Sequence, residues 1–214
     1  MRDDTYFEKT IFIGDSIMEG IRQYVATERK NQTTLGEAKF LTSIMGITLA
    51  DLVGDNNPCM YYSYGGKEAP LEELLGNLDV NRIFLLLGLN DLSATTATTE
   101  EIVERYARLI TNLKESFSEV EVIVITAPPK IASSWLPTYV TNRSFGNERI
   151  GEFVTALIAM CNENGVPYVD IYGALKNESG ALPDDFCRDG YIHLNNAGAK
   201  VVVDALYAFA ASQN

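Results

Sequence analysis

The sequence contains a single histidine, His193, among its 214 residues. Proton transfer at neutral pH most often uses an imidazole, so chemistry of that kind depends here on one residue. Cysteine is also scarce: Cys59, Cys161 and Cys187 form no CxxC pair. Scattered cysteines with one histidine disfavour a zinc site, and we expect free thiols.

Positive charge is the next shortage. Seventeen Lys and Arg residues against 29 Asp and Glu residues give a net charge of −12, which disfavours nucleic acids and anionic membrane surfaces as partners. No apolar run is long enough to span a bilayer. The polar, acidic start lacks a secretion leader and predicts a cytoplasmic protein, whereas a leader removed ahead of Met1 would place it outside the cell or at its surface. Nothing in the sequence indicates the oligomeric state.

Short apolar strands alternate with amphipathic helices along the chain. Buried, unalternating strands separated by helices predict a parallel sheet covered on both faces. We therefore predict one α/β domain over residues 1–214: a three-layer α/β/α sandwich of the flavodoxin-like type with about five parallel strands. The strands are predicted at residues 10–13, 38–44, 82–87, 120–126 and 167–171, and the longer helices at 17–28, 98–117, 147–164 and 195–211.

Ligands of such sheets bind beyond the carboxyl ends of the strands. Four segments supply glycine or polar residues at that edge: residues 14–16 (Gly-Asp-Ser), Gly46, residues 88–91 (Gly-Leu-Asn-Asp) and residues 189–193. Each has a plainer explanation when taken alone. The first and third segments can cap a helix or a loop, Gly46 can permit a tight turn, and a histidine is more often packed or on the surface than catalytic.

Taken together, the four segments resemble the SGNH/GDSL hydrolase family. The Gly-Asp-Ser block after the first strand matches residues 14–16, and Gly46 fits the glycine after the second strand. The GxND block matches residues 88–91, and His193 matches the end of the DxxH block before the last helix. The resemblance extends from Phe12 to about residue 198, and the joint order of the blocks is far more specific than any one of them.

The resemblance implies a serine esterase that needs no metal or organic cofactor. Ser16 would be the nucleophile, His193 its base and Asp189 the acid that orients the imidazole. The backbone N–H groups of Ser16 and Gly46 and the side chain of Asn90 would form the oxyanion hole. The expected substrates are small acyl esters, such as acetyl groups on carbohydrate or short-chain lipid-like esters.

The acid departs from the family pattern by one residue. The position three before His193 is Gly190, and Asp189 lies four before it. One bulged residue in the loop would still let Asp189 reach the ring. Asp184, Asp185 or a backbone carbonyl are the alternatives.

The long segment over residues 130–146 carries Trp135, Tyr139 and Arg143. These side chains either line a substrate groove or cover the edge of the sheet. Two other functions remain open: acyl transfer to an alcohol on the same fold, and a binding module that has lost catalysis. A nucleotide-binding flavodoxin-like protein is disfavoured, because residues 65–67 lack the spacing of a phosphate-binding loop.

Overall fold

In the computed structural model the chain forms a sheet of five parallel strands with helices on both sides. The structure describes residues 3–43, 46–55, 62–64, 67–132 and 145–213. The strands are β1 (Thr10–Gly14), β2 (Lys39–Thr42), β3 (Tyr62–Tyr64), β4 (Lys67–Ala69), β5 (Arg82–Leu86), β6 (Glu121–Ile125) and β7 (Tyr168–Val169). The helices are α1 (Ser16–Glu28), α2 (Leu49–Leu52), α3 (Leu71–Gly76), α4 (Leu89–Ala94), α5 (Thr99–Ser116), α6 (Asn147–Glu163), α7 (Ile171–Leu175) and α8 (Asn196–Ala211).

The strand order in the sheet is β2-β1-β5-β6-β7, while β3 and β4 form a separate antiparallel hairpin. Without the hairpin, the five strands run second, first, third, fourth, fifth along the sheet, which is the predicted flavodoxin-like order. The direction of winding reverses between β1 and β5. The crevice at their carboxyl ends is therefore where a ligand site is expected.

The core explains why these segments form the sheet. All five residues of β1 are buried, as are the last four of β5 and of β6. The rings of Phe12 and Phe84 stack at 4.8 Å across β1 and β5. Helix α1 packs on α8, and α5 packs on α6. Each large apolar side chain buried between these layers contributes ~1.5–3 kcal/mol.

The prediction for the last strand was wrong in its length. The strand pattern extends over residues 167–171, but β7 contains only Tyr168–Val169. The side chain of Asp170 accepts a hydrogen bond from the Gly173 N–H at 2.9 Å. This cap starts a helical turn, so Ile171 begins α7 instead of continuing the strand.

Candidate active site

The structure brings both ends of the chain together at the carboxyl edge of the sheet. The Ser16 Oγ lies 3.0 Å from the His193 Nε2, although 177 positions separate the two residues. The other ring nitrogen of His193, Nδ1, lies 2.5 Å from the Asp189 Oδ2. Hydroxyl, imidazole and carboxylate thus form one hydrogen-bonded chain.

Ser16 is placed by the turn from β1 into α1. Asp15 is the N-cap of this helix, and its Oδ1 accepts a hydrogen bond from the Ile17 N–H at 2.9 Å. Ser16 is the first residue of α1, where the partial positive charge of the helix favours a developing negative charge. Capping by Asp15, which is one of the plainer explanations of the motif, therefore coexists with an accessible serine hydroxyl.

Asp189 is held by the loop that it begins. Its Oδ1 accepts hydrogen bonds from the backbone N–H groups of Tyr191, Ile192 and His193 at 2.9, 3.1 and 3.2 Å. Gly190 turns the chain with φ +69°, a conformation that favours glycine. The extra residue is accommodated in this turn, and Oδ2 is left to meet the imidazole.

The pKa of Asp189 reflects these contacts. Partial burial alone raises the pKa, but the hydrogen bonds from His193 and from the backbone N–H groups outweigh burial and lower it to about 2. The alternatives Asp184 and Asp185 lie in a short 3₁₀ helix, Asp184–Phe186, and both are exposed. Neither makes a described hydrogen bond to His193.

Asn90 and Gly46 lie next to each other at the same edge. The Asn90 Nδ2 donates to the carbonyl oxygen of Ile47 at 2.9 Å, and more weakly to the Asp15 Oδ2 at 3.3 Å. Gly46 directly precedes Ile47, is exposed and has φ +70°. If Asn90 donates a hydrogen bond to an oxygen of a bound ligand, it gives up the longer of these two hydrogen bonds.

Gly88 sets the direction of Asn90. Its φ is +101°, and a Cβ there would lie 2.6 Å from the ring of Phe153. Only glycine fits at this position, and its conformation lets the chain turn sharply after β5 into the short helix α4. The second residue of α4 is Asn90. We did not predict this helix from the sequence.

Asp91, the last residue of the GxND block, has the structural role of a cap. Its side chain is fully buried, and its Oδ2 accepts from the Leu49 N–H at 2.8 Å. Asp91 thereby ties the start of α2, three residues after Gly46, to the block that carries Asn90. Burial raises the pKa of Asp91 to about 6 and that of Asp15 likewise to about 6.

Glu19 is a residue that the sequence analysis missed. It lies one helical turn after Ser16 and binds the Arg22 guanidinium through two contacts of 2.7 Å. It also accepts from the Thr42 Oγ1 at 2.6 Å, which joins α1 to the end of β2. The hydrogen bonds from Arg22 are the main reason why the pKa of Glu19 falls to about 2. The i,i+3 spacing of Glu19 and Arg22 was the available signal.

Trp135, Tyr139 and Arg143, which we predicted as substrate-lining residues, lie outside the described residues. Just before that segment, both backbone polar groups of Lys130 pair with the Asn147 side chain at 2.9 and 2.8 Å.

Within the described ranges no group of His, Cys, Asp and Glu residues has the arrangement of a metal site. No helix of those ranges is long and apolar enough to cross a membrane.

Comparison with known proteins decides the family. The family model described as the GDSL-like Lipase/Acylhydrolase family matches residues 12–201, which is most of the chain. The chain belongs to this family. A search of the curated proteins found no match.

Solved structures share the fold at low sequence identity. A GDSL-like lipase from Bacteroides thetaiotaomicron is 15% identical, with a TM-score of 0.72 over 100% of this chain and 93% of that one. A carbohydrate acetylesterase from Sinorhizobium meliloti is 16% identical, with a TM-score of 0.68 over 96% and 99% of the two chains. An inhibitor-bound aryl esterase from M. smegmatis is 17% identical, with a TM-score of 0.67 over 95% and 98%. These likenesses establish the three-layer fold of the acylhydrolase.

Proposed function

We propose that this acylhydrolase is a serine esterase that cleaves small acyl esters. The observation that carries the proposal is the hydrogen-bonded chain from the Ser16 Oγ through His193 to Asp189. A serine hydroxyl is a weak nucleophile at neutral pH and needs an adjacent base. The 3.0 Å contact between the Ser16 Oγ and the His193 Nε2 supplies such a base within proton-transfer distance.

The proposed reaction has two steps. Ser16 attacks the ester carbonyl while the His193 Nε2 takes its proton, and the same nitrogen then protonates the leaving alcohol. Water attacks the acyl-enzyme in the second step, again with His193 as base. Asp189 holds the proton on Nδ1 and stabilises the imidazolium that forms.

The tetrahedral oxyanion needs N–H donors. We assign the backbone N–H groups of Ser16 and Gly46 and the side chain of Asn90 to this role. Asn90 is already fixed by its 2.9 Å hydrogen bond to the Ile47 carbonyl, so little reorganisation is required. One such donor typically lowers the barrier by ~3 kcal/mol.

Small acyl groups, acetyl above all, are the proposed substrates, on carbohydrate or other alcohols. A carbohydrate acetylesterase and an acetyl xylan esterase are among the chains with the same fold, which supports this choice. The proposed ligand is thus a small-molecule or carbohydrate ester. The mechanism uses only the protein's own side chains and water.

The decisive experiment measures hydrolysis of p-nitrophenyl esters from acetate to octanoate, together with acetylated xylan and a thioester. The unaltered protein should cleave the acetate best, and Ser16→Ala should reduce kcat by at least about 10⁴-fold. Ser212→Ala, the same change at the exposed C-cap of α8, is the control. A fluorophosphonate should label Ser16 and not the Ser16→Ala variant. An unlabelled Ser16 would indicate a binding module, and acylation of an added sugar would indicate a transferase.

A further inference from the structure

A cavity of about 500 Å³ opens between α1 and the start of α8. It is lined by Gly20 and Gln23 of α1, by Arg188, and by residues 194–197. We call it the Arg188 cavity. Gly20 lies one helical turn after Ser16 on the same face of α1, and Leu194 directly follows His193. The lining thus includes one residue a helical turn from the proposed nucleophile and one residue that adjoins the proposed base.

Arg188 differs from the other arginines of the described ranges. Its side chain is exposed and makes no hydrogen bond or ion pair with any described residue. The others each bind a carboxylate or a backbone carbonyl, namely Arg22, Arg29, Arg82, Arg105, Arg108 and Arg149. A guanidinium has five N–H donors and no acceptor, in a planar arrangement that matches a carboxylate. An anion that enters the cavity can therefore pair with Arg188.

Gly20 keeps the cavity open. A Cβ at this position would meet only the Leu194 carbonyl oxygen, at 4.0 Å. Packing therefore leaves room for a side chain, and a larger residue would project into the cavity. The amide of Asn195 is occupied, because it caps α8 and donates to the Asp185 carbonyl oxygen. The lining also includes the polar residues Gln23 and Asn196, and Arg188 is the one charged residue among the lining residues.

The position of the cavity indicates which half of an ester substrate it can bind. Arg188 and Leu194 flank the His193 loop, and the Arg188 N–H donates to the His193 carbonyl oxygen at 2.8 Å. The proposed oxyanion donors Gly46 and Asn90 instead follow β2 and β5. Because His193 protonates the departing alcohol, the alcohol half leaves on the side of the histidine. We propose that the Arg188 cavity binds the alcohol half of the substrate and favours alcohols that carry a carboxylate. This inference rests on the proposed esterase function.

The test compares two acetyl esters that differ in one charge: 4-acetoxybenzoate and the neutral 4-acetoxybenzamide. The measured quantity is the ratio of their kcat/KM values, from release of the phenol. The unaltered protein should prefer the carboxylate, and Arg188→Gln should lower the ratio about fivefold, the scale of an exposed charge pair. Arg188→Lys should retain part of the preference. Lys200→Gln removes an exposed charge elsewhere on α8, where Lys200 pairs with Asp204, and should leave the ratio unchanged.

A second variant tests the cavity apart from its charge. Gly20→Leu should lower kcat/KM for both aryl esters relative to methyl acetate, whose alcohol does not reach the cavity. An unchanged ratio in Arg188→Gln, or equal losses on all three esters in Gly20→Leu, would overturn the proposal while leaving the esterase intact. If the unaltered protein hydrolyses neither these esters nor p-nitrophenyl acetate, the proposed function fails, and this inference fails with it.

Discussion

Four carboxylates lie close to Ser16, and they form two contrasting pairs. Asp15 and Asp91 are buried beneath the end of the sheet, where loss of water raises the pKa of each to about 6. Asp189 and Glu19 lie nearer the surface, where hydrogen bonds outweigh burial and lower the pKa of each to about 2. Within one small region, burial and hydrogen-bond donors decide the pKa of each carboxylate.

The contrast separates two tasks. Asp15 and Asp91 accept hydrogen bonds from backbone N–H groups at the starts of α1 and α2. They thereby fix where these two helices begin. Asp189 is fully charged at neutral pH and faces the imidazole, as an orienting acid must. The predictions below challenge this division of roles, beginning with the largest expected effect.

Asp189→Asn should reduce kcat for ester hydrolysis by about 10³- to 10⁴-fold, because the neutral amide no longer holds the productive tautomer of His193. Steady-state kinetics with p-nitrophenyl acetate measures the loss. Asp185→Asn, which neutralises an exposed acid of the preceding 3₁₀ helix, should stay near the activity of the unaltered protein. A loss of less than tenfold in Asp189→Asn would mean that another group orients the ring.

Asn90→Ala should lower kcat by about 10²- to 10³-fold with little change in KM, since an oxyanion donor acts mainly in the transition state. Asn77→Ala, at the C-cap of α3, is the matched control. If Asn90→Ala changed kcat and thermal stability by the same amounts as Asn77→Ala does, Asn90 would not be an oxyanion donor.

The pH dependence of stability should reveal both pairs. The folded pKa values of Asp189 and Glu19 lie below their ordinary values, so their contribution to stability is lost as pH falls from about 4 to 2. Asp15 and Asp91 have raised folded pKa values, so stability falls as pH rises from about 4 to 6. The four groups together predict maximal stability near pH 4, measured by urea unfolding.

Asp91→Asn sharpens this expectation. The amide carries no charge, so the decline in the free energy of unfolding between pH 4 and 6 should become shallower, by an amount on the order of 2 kcal/mol across that window. Asp184→Asn, an exposed acid with no resolved role in the fold, is the control. An unaltered slope in Asp91→Asn would show that Asp91 does not titrate in this range.

Gly190→Ala should have the smallest effect. A Cβ at φ +69° costs ~1–2 kcal/mol, and a loss of that size lowers Tm by about 2–8 °C in a chain of this length. Calorimetry can compare it with Gly76→Ala, where φ is not positive and a Cβ meets no atom within 4 Å. Similar Tm values for the two variants would mean that the turn is not strained.

The strand order and the segments that meet at the sheet edge could be predicted from the sequence, because apolar periodicity and the motifs are local signals. The extra residue before His193 could not be resolved, since its outcome depends on the conformation of Gly190. Asp91 could be predicted as a capping residue, but its partner could not, because Leu49 lies 42 positions away. The significance of Arg188 depends on what its side chain does not touch, and a sequence does not contain that information.

The acid and the imidazole lie within four positions of each other, whereas the hydroxyl lies 177 positions from the imidazole. A partly unfolded chain in which α8 has separated from α1 could keep the first contact and would lose the second. Ester turnover would therefore be lost as soon as the first and last thirds of the polypeptide separate. During unfolding, this loss would come before a loss of helix content is seen by spectroscopy. During refolding, we expect activity to return only with the last docking event, after most secondary structure has formed.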